Sequence, residues 1–140
     1  MTRQLARMLL LALLLSLTGC IYRASILTDY PAIDEHTSRN SLDWAGTYTG
    51  VLPCADCAGL KTTLTIRSDS SYHLETRPLG QEDRLFVEQG TFTWMEDGNI
   101  IQLNDGVTRY QVGENRLFLL DRRGRRITGD LAAHYILYKE

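Results

Sequence analysis

The feature that most constrains this chain is a series of short segments in which apolar and polar residues alternate, with turn residues between them. Alternation with a period of two is typical of half-buried β-strands, and little of the sequence shows the spacing of an amphipathic helix. The segment 60–66 is the clearest case: one face carries Leu60, Thr62, Leu64 and Ile66. Asp97-Gly98 and Asp105-Gly106 are strong hairpin signals. These patterns predict an antiparallel all-β fold.

The spacing of these segments predicts about eight strands. They are expected within residues 44–52, 60–67, 72–76, 85–95, 101–103, 110–112, 117–120 and 135–138. The segment 85–95 contains Gly90, so it is either two strands or one bent strand. No helix of parallel-sheet length separates the strands, which excludes a Rossmann or thioredoxin arrangement. Up-and-down connections favour a small closed β-barrel, with an open sandwich as the alternative.

The N-terminal twenty residues predict export and lipid anchoring. Arg3 and Arg7 precede an almost wholly apolar run from Met8 to Leu17. As a helix this run spans about 15 Å, half of a hydrocarbon core of about 30 Å, so residues 1–19 are interpreted as a signal peptide. Leu17-Thr18-Gly19-Cys20 resembles a bacterial lipobox, which implies acylation of Cys20 and cleavage before it. In the sorting pattern that this resemblance implies, Ile21 in place of Asp favours the outer over the inner membrane.

The remaining chain divides into a tether and one folded domain. Residues 20–41 mix polar, charged and isolated apolar residues without a sustained period, as in a solvated tether. Residues 42–140 are enough to enclose one modest core. The formal net charge of the whole chain is −2. A nucleic-acid partner is therefore not expected, because proteins that bind nucleic acids normally carry an excess of basic residues on one face.

Cys54 and Cys57 form the sequence's most informative chemical motif, a C-x-x-C. In an exported chain the default state of such a pair is a disulfide, and the loop that it closes is small. A second interpretation is a Cu(I) site, because soft thiolates suit Cu(I). Thiol–disulfide catalysis is disfavoured, because the residues after the motif are predicted as strand rather than helix. Covalent haem would need a histidine where Ala58 stands.

Further metal ligands and catalytic groups are not apparent. Two thiolates cannot complete a structural zinc site. His36, His73 and His134 are not at ligand spacing to the cysteines, and each is expected to be a surface or strand residue. No catalytic motif is found, so no catalytic residue is assigned and no enzymatic activity is expected. The basic run 121–126 is interpreted as a charged hairpin tip, with contact to anionic lipid or polysaccharide as the alternative.

Four stretches of the chain resemble the NlpE N-terminal domain family. The first is 44–60, which reads WAGTYTGVLPCADCAGL. The others are GTFTW at 90–94, LLDRRG at 119–124 and YILY at 135–138. The resemblance implies a lipocalin-like β-barrel in an outer-membrane lipoprotein associated with copper tolerance and envelope stress. It implies that Cys54 and Cys57 match a pair proposed to bind copper or report redox state, and that Cys20 is the lipidated residue. Full-length members carry a second, OB-like domain, so only properties of the first domain are expected to transfer.

Two classes of function follow from the sequence. The first is a non-enzymatic lipoprotein, anchored through Cys20, in which Cys54 and Cys57 respond to redox state or bind Cu(I), with copper as the possible cofactor. The second is a carrier of a small molecule or lipid, or a module that docks an envelope protein, in which the cysteines are only a structural disulfide. In the carrier, Trp44, Phe92 and Trp94 would line a cavity, whereas we expect them to be core residues.

Overall fold

Eight antiparallel strands follow one another around a closed barrel. The computed structural model describes residues 36–81, 83–95 and 97–140. Its elements, in chain order, are the helical turn α1 (Ser38–Ser41), β1 (Gly46–Leu52), β2 (Leu60–Ile66), β3 (Ser71–Pro78), β4 (Phe86–Trp94), β5 (Ile100–Leu103), β6 (Arg109–Gly113), β7 (Arg116–Leu119), a 3₁₀ helix (Ala132–Tyr135) and β8 (Ile136–Lys139).

The barrel closes because the last strand pairs with the first. Each strand pairs with the next, and β8 pairs with β1 through Tyr48 opposite Lys139 and Thr49 opposite Tyr138. The prediction of an all-β, eight-stranded antiparallel barrel is therefore confirmed, and the open sandwich is excluded. Phe86–Trp94 is one strand, which settles the alternative left open by Gly90.

The alternating residues of the strands fill the barrel interior. On β2, Thr62, Leu64 and Ile66 are at most 1% exposed, while Thr63 and Thr65 on the other face are partly exposed. The predicted two-residue period is thus the pleat of a half-buried strand. The buried core consists of Tyr48, Leu52, Leu64, Ile66, Tyr72, Phe92, Ile101, Leu103, Tyr110, Val112, Leu117 and Leu137.

The connections lie alternately at two ends of the barrel. The β1–β2, β3–β4, β5–β6 and β7–β8 connections lie at one end, which contains both cysteines of the motif and is called the disulfide end. The β2–β3, β4–β5 and β6–β7 turns lie at the other end together with α1, and this is called the helix end.

α1 is hydrogen-bonded to the helix end. The backbone N–H of Ser38 donates to Asn99 Oδ1 at 2.8 Å, and Ser38 Oγ donates to the carbonyl oxygen of Val112 at 2.7 Å. The N–H of Arg39 donates to the carbonyl of Gly98 at 3.0 Å. The tether predicted through residue 41 therefore differs from the structure at residues 38–41, which belong to the folded unit. Residues 20–35 of that tether lie outside the described residues.

An aromatic cluster packs beside α1. Trp44 meets Phe92 and Trp94 edge to face, with ring centroids 5.9 and 5.3 Å apart. Phe92 is 3% exposed and the two tryptophans are partly buried. The indole N–H of Trp44 donates to the carbonyl of Arg39 at 3.0 Å, so the cluster also holds the chain that leads into β1. The expectation that these three side chains belong to the core is confirmed.

Candidate functional site

Cys54 and Cys57 lie in the connection from β1 to β2. β1 ends at Leu52 and β2 begins at Leu60, and these two residues are opposite each other in the ladder. The chain between them projects beyond the paired strands. Both cysteines are partly buried, while Ala55 and Asp56 between them are exposed. The local sequence thus places two sulfur atoms on a short loop that solvent reaches.

The two sulfur atoms lie at disulfide distance. Cys54 Sγ and Cys57 Sγ are 2.09 Å apart, and the Cα atoms of the two residues are 5.3 Å apart. That Cα separation is within the range of ordinary disulfides, so the loop holds the pair without a change in the barrel. The pair can therefore exist as a disulfide, and after reduction as two adjacent thiols.

Gly59 connects this loop to the β3–β4 connection. Its carbonyl accepts a hydrogen bond from the N–H of Leu79 at 2.9 Å. A Cβ atom at Gly59 would lie 2.6 Å from Val51 Cγ1 and 3.1 Å from Leu79 Cδ1, so the close approach of these three residues requires glycine here. The loop is thereby anchored to a neighbouring connection as well as to its own strands.

The carbonyl of Gly59 also lies next to a sulfur atom. Cys57 Sγ is 3.2 Å from Gly59 O. A disulfide sulfur carries no proton and cannot donate a hydrogen bond, whereas a thiol at the same place can. Reduction would therefore give Cys57 a local acceptor that its disulfide does not use.

An open cleft of about 230 Å³ runs beside the sulfur pair. Residues of the β1–β2 connection form one wall, and Leu131 and His134 of the β7–β8 connection lie opposite them. His134 is exposed on the 3₁₀ helix, as expected for a surface residue. Its proximity to the cysteines could not be found from sequence spacing, because the path of a long connection brings it there.

The other two predicted histidines lie away from this cleft. His73 on β3 is hydrogen-bonded to Glu75, with Nε2 3.0 Å from Oε1, and His36 is exposed before α1. Within residues 36–81, 83–95 and 97–140, no three His, Cys, Asp or Glu side chains are grouped as metal ligands. The two thiolates that reduction of the pair would give are a donor set that suits a soft ion such as Cu(I).

The basic run 121–126 forms a tight charged turn. Asp121 Oδ1 accepts hydrogen bonds from the N–H groups of Arg123 and Arg125, and Arg125 Nη2 lies 3.2 Å from Asp121 Oδ2. The backbone hydrogen bond from Arg125 is the main cause that lowers the pKa of Asp121. The Arg126 guanidinium stacks over Phe118, 3.5 Å from the ring centroid. Two of the four arginines are thus engaged locally, in agreement with a charged tip.

The barrel interior bears on the carrier hypothesis. Tyr48, Tyr72 and Tyr110 fill it with side chains that are at most 2% exposed. The Tyr48 hydroxyl donates to the carbonyl of Trp44 at 2.6 Å, and burial raises the pKa of Tyr48 to about 12. The Tyr72 hydroxyl is hydrogen-bonded to Glu88 and Asn104. These three tyrosines pack as core residues. They therefore do not line the ligand cavity that the carrier hypothesis requires.

The predictions of export and lipid anchoring concern the N-terminal residues. The signal peptide (1–19) and the lipidation site Cys20 lie outside the described residues. Among the residues that are described, no helix has the length and apolar character needed to cross a bilayer.

The fold and the sulfur pair define a class: a small closed antiparallel barrel with a C-x-x-C loop at one end. Residues 48–130 match the NlpE N-terminal domain family, and the chain belongs to that family. It is 32% identical over 117 residues to lipoprotein NlpE of Escherichia coli K12, a match that covers 81% of this chain and 48% of the relative. The chain thus spans about half the length of that curated relative.

Two solved structures share this fold. A putative lipoprotein from Shewanella oneidensis is 51% identical, with a TM-score of 0.71 over 75% of this chain and 96% of that one. The Cpx pathway activator NlpE from Escherichia coli is 31% identical, with a TM-score of 0.50 over 61% of this chain and 46% of that one. The family resemblance predicted from the sequence is therefore confirmed.

Proposed function

We propose that this protein is a non-enzymatic lipoprotein of the bacterial outer membrane, linked to copper homeostasis and envelope stress. In this proposal the Cys54–Cys57 pair responds to redox state or binds Cu(I) once it is reduced. The observation that carries the proposal is the placement of both sulfur atoms at disulfide distance on an exposed loop. The relatives named as lipoproteins, one of them as an activator of the Cpx pathway, support the class of function.

The chemistry of the pair follows from its two states. As a disulfide it has no thiolate to offer a metal, so oxidation and metal binding exclude each other. Two-electron reduction opens the S–S bond and gives two thiols, which lose their protons when a soft metal ion binds. A reducing, copper-rich envelope would therefore favour the metal-bound pair, and an oxidising one would favour the disulfide.

Thiol counting tests whether the pair changes state. Alkylation of the purified protein followed by mass measurement is expected to show no modified cysteine at positions 54 and 57 before reduction and two modified cysteines after it. Alkylation of both cysteines without reductant would contradict the disulfide resting state.

A copper titration tests the metal-binding part of the proposal. Reduced protein is titrated with Cu(I) against a competing chelator and compared with the Cys54→Ser, Cys57→Ser double variant. We expect one Cu(I) per chain, lost in the double variant and retained in a His73→Gln control, because His73 lies on the outer face of β3. Equal affinity of the double variant and the natural protein would rule out a Cu(I) site at the pair.

Membrane anchoring is tested at Cys20. Cys20→Ser is expected to release the protein from the membrane fraction and to abolish incorporation of labelled palmitate, because the acyl chains attach to the thiol. Ile21→Asp is expected to move the anchored protein from the outer to the inner membrane. Acyl incorporation that persists in Cys20→Ser would contradict the assignment.

A further inference from the structure

The first half of β4 has a strand neighbour on one side only. β3 pairs with β4 from Phe86 to Thr91, whereas β5 pairs only with Phe92–Trp94. Among the described residues, Phe86–Gln89 therefore has no strand on its second side. We call this segment the β4 edge. All four of its residues are exposed.

The register shows which peptide groups of the β4 edge lack a partner strand. Phe92 N–H donates to the carbonyl of Ser70 across the β3–β4 ladder at 2.8 Å. In an antiparallel pair, successive residues direct their N–H and C=O groups to opposite sides. Phe86 and Glu88 therefore face β3, and Val87 and Gln89 face the open side. Two donors and two acceptors are available there for another strand.

The β4 edge carries no lysine, proline or bulge to block strand pairing. Natural edges are commonly blocked by lysine, proline or a bulge. Here Phe86 is 51% exposed and Val87 is 50% exposed, and Leu85 just before them is 41% exposed. Glu88 is the one charged residue within the edge. An unpaired edge that exposes apolar side chains in this way is typical of a site where a further strand adds to a sheet.

The charges around the edge match those of a second copy of the same edge. The Arg84 guanidinium lies over the Phe86 ring, 5.7 Å from its centroid. In an antiparallel pair centred on Val87, Phe86 of one copy lies opposite Glu88 of the other, and Arg84 lies opposite Gly90, diagonal to that carboxylate, which also accepts the Tyr72 hydrogen bond. A pair centred on Glu88 would instead place two carboxylates opposite each other, which is unfavourable. The edge is thus self-complementary in one register.

We propose that the β4 edge is a self-association site, at which two copies of this protein join their barrels by antiparallel β4–β4 pairing centred on Val87. Each copy then satisfies the open peptide groups of the other, and two Arg84–Glu88 charge pairs flank the contact. The contact is smaller than a standard protein interface, so it is weak in dilute solution and increases with local concentration. This proposal does not depend on the redox or metal chemistry of the cysteine pair.

Amide exchange and sedimentation test the pairing in the protein itself. As the protein concentration rises, we expect a dimer in sedimentation equilibrium, with slower hydrogen exchange at the amides of Val87 and Gln89. Phe86 and Glu88 amides are the internal control, because they already face β3 and should exchange at the same rate throughout. A protein that stays monomeric at millimolar concentration would overturn the proposal, as would a dimer without slower exchange at Val87 and Gln89.

Matched variants separate backbone pairing from folding. Val87→Pro removes an outward donor and leaves the β3 ladder intact, so dimerisation is expected to weaken about tenfold or more, whereas Val87→Ala keeps the donor and weakens it less. Arg84→Glu is expected to weaken the dimer, whereas Arg84→Lys keeps the positive charge, leaves the Glu88–Tyr72 hydrogen bond in place and is expected to retain it. Near-ultraviolet circular dichroism verifies that each variant is folded. Equal dimerisation of Val87→Pro and Val87→Ala would exclude pairing at this edge.

A synthetic peptide with the sequence of residues 84–90 provides a test without mutating the protein. The peptide is expected to compete with dimerisation and to slow exchange at Val87 and Gln89. N-methylation of the peptide nitrogens at positions 87 and 89 should abolish binding, while N-methylation at position 88 should not, because that nitrogen faces away from the partner. Equal binding of the two methylated peptides, or capture only of unrelated extended peptides, would overturn self-pairing.

Discussion

The two ends of the barrel differ in what holds them together. At the helix end, α1 is hydrogen-bonded to the β4–β5 turn and to β6, and Trp44, Phe92 and Trp94 pack against one another. At the disulfide end, the two sulfur atoms lie on an exposed loop, and the β4 edge and several apolar side chains are open to solvent. The helix end is therefore held by hydrogen bonds and aromatic packing, whereas the disulfide end exposes a reactive pair and apolar side chains to solvent.

This difference indicates that a reaction at the cysteine pair can occur without unfolding the barrel. Stability in a small domain is unevenly distributed, and functional loops are drawn from the less stable parts. Lys139 Nζ lies 3.0 Å from Asp43 Oδ2 at the helix end, so even the last strand is fastened there. A change of state at Cys54 and Cys57 can then alter the loop while the helix end keeps the barrel closed.

The largest expected difference between the two ends is in the cost of removing a phenylalanine. Phe92→Ala is expected to lower the free energy of unfolding by about 3–5 kcal/mol, because the ring is buried against two tryptophans. Phe86→Ala is expected to cost at most about 0.5–1 kcal/mol, since half of that side chain is exposed. Urea denaturation of both variants measures the difference. Equal losses would mean that the two ends contribute alike to stability.

Reduction of the disulfide should have a smaller effect, confined to its own end. The cysteines are three residues apart, so the loop that they close is short and reduction is expected to cost about 1–2 kcal/mol. The tryptophan emission spectrum should not change on reduction, because Trp44 and Trp94 lie at the helix end. Denaturation with and without reductant, followed by fluorescence, measures both. A shifted emission spectrum in the folded, reduced protein would show that the ends are coupled.

The hydrogen bonds of α1 provide a test of the helix end. Ser38→Ala removes the hydroxyl that donates to Val112 and is expected to cost about 0.5–1.5 kcal/mol. Ser68→Ala in the exposed β2–β3 turn is the control and should change the free energy of unfolding little. If Ser38→Ala lowers the free energy of unfolding no more than its control does, α1 does not contribute to the stability of the barrel.

The sequence was sufficient to predict those features that depend on neighbouring residues. Alternation along residues 60–66 and the Asp-Gly turns are local patterns, so eight strands and their order could be predicted. Cys54 and Cys57 are close in sequence, and their proximity in space follows directly. The family motifs around them added the expectation of a lipoprotein.

The features that the sequence did not reveal depend on contacts between distant segments. Ser38 was assigned to a tether because its partners, Asn99 and Val112, are far away in the chain. His134 lies beside the cysteines only because the β7–β8 connection folds back to them. The β4 edge arises from the register in which β5 pairs with Phe92–Trp94, which alternation alone does not specify.

The smallest effect is expected from Asp105, which holds the β5–β6 turn at the disulfide end. Partial burial raises the pKa of Asp105, but hydrogen bonds from the Thr108 hydroxyl and from the N–H groups of Thr108 and Val107 outweigh burial and hold it below its usual value. Because the folded state holds the carboxylate form, this contribution to stability is present above the usual aspartate pKa. It is lost as the pH falls through the lowered value.

Amide exchange of Val107 and Thr108 measures this effect against the rest of the barrel. Between neutral pH and about pH 4 we expect constant protection of both amides after correction for intrinsic exchange, with a decrease at lower pH. Asp105→Asn keeps an acceptor oxygen but has no proton to gain, so its protection should be lower at neutral pH and independent of pH. The Leu64 amide in the core should not respond in either protein. If the turn amides exchange together with the Leu64 amide, the disulfide end unfolds only with the whole barrel. That result would contradict the difference in stability between the two ends.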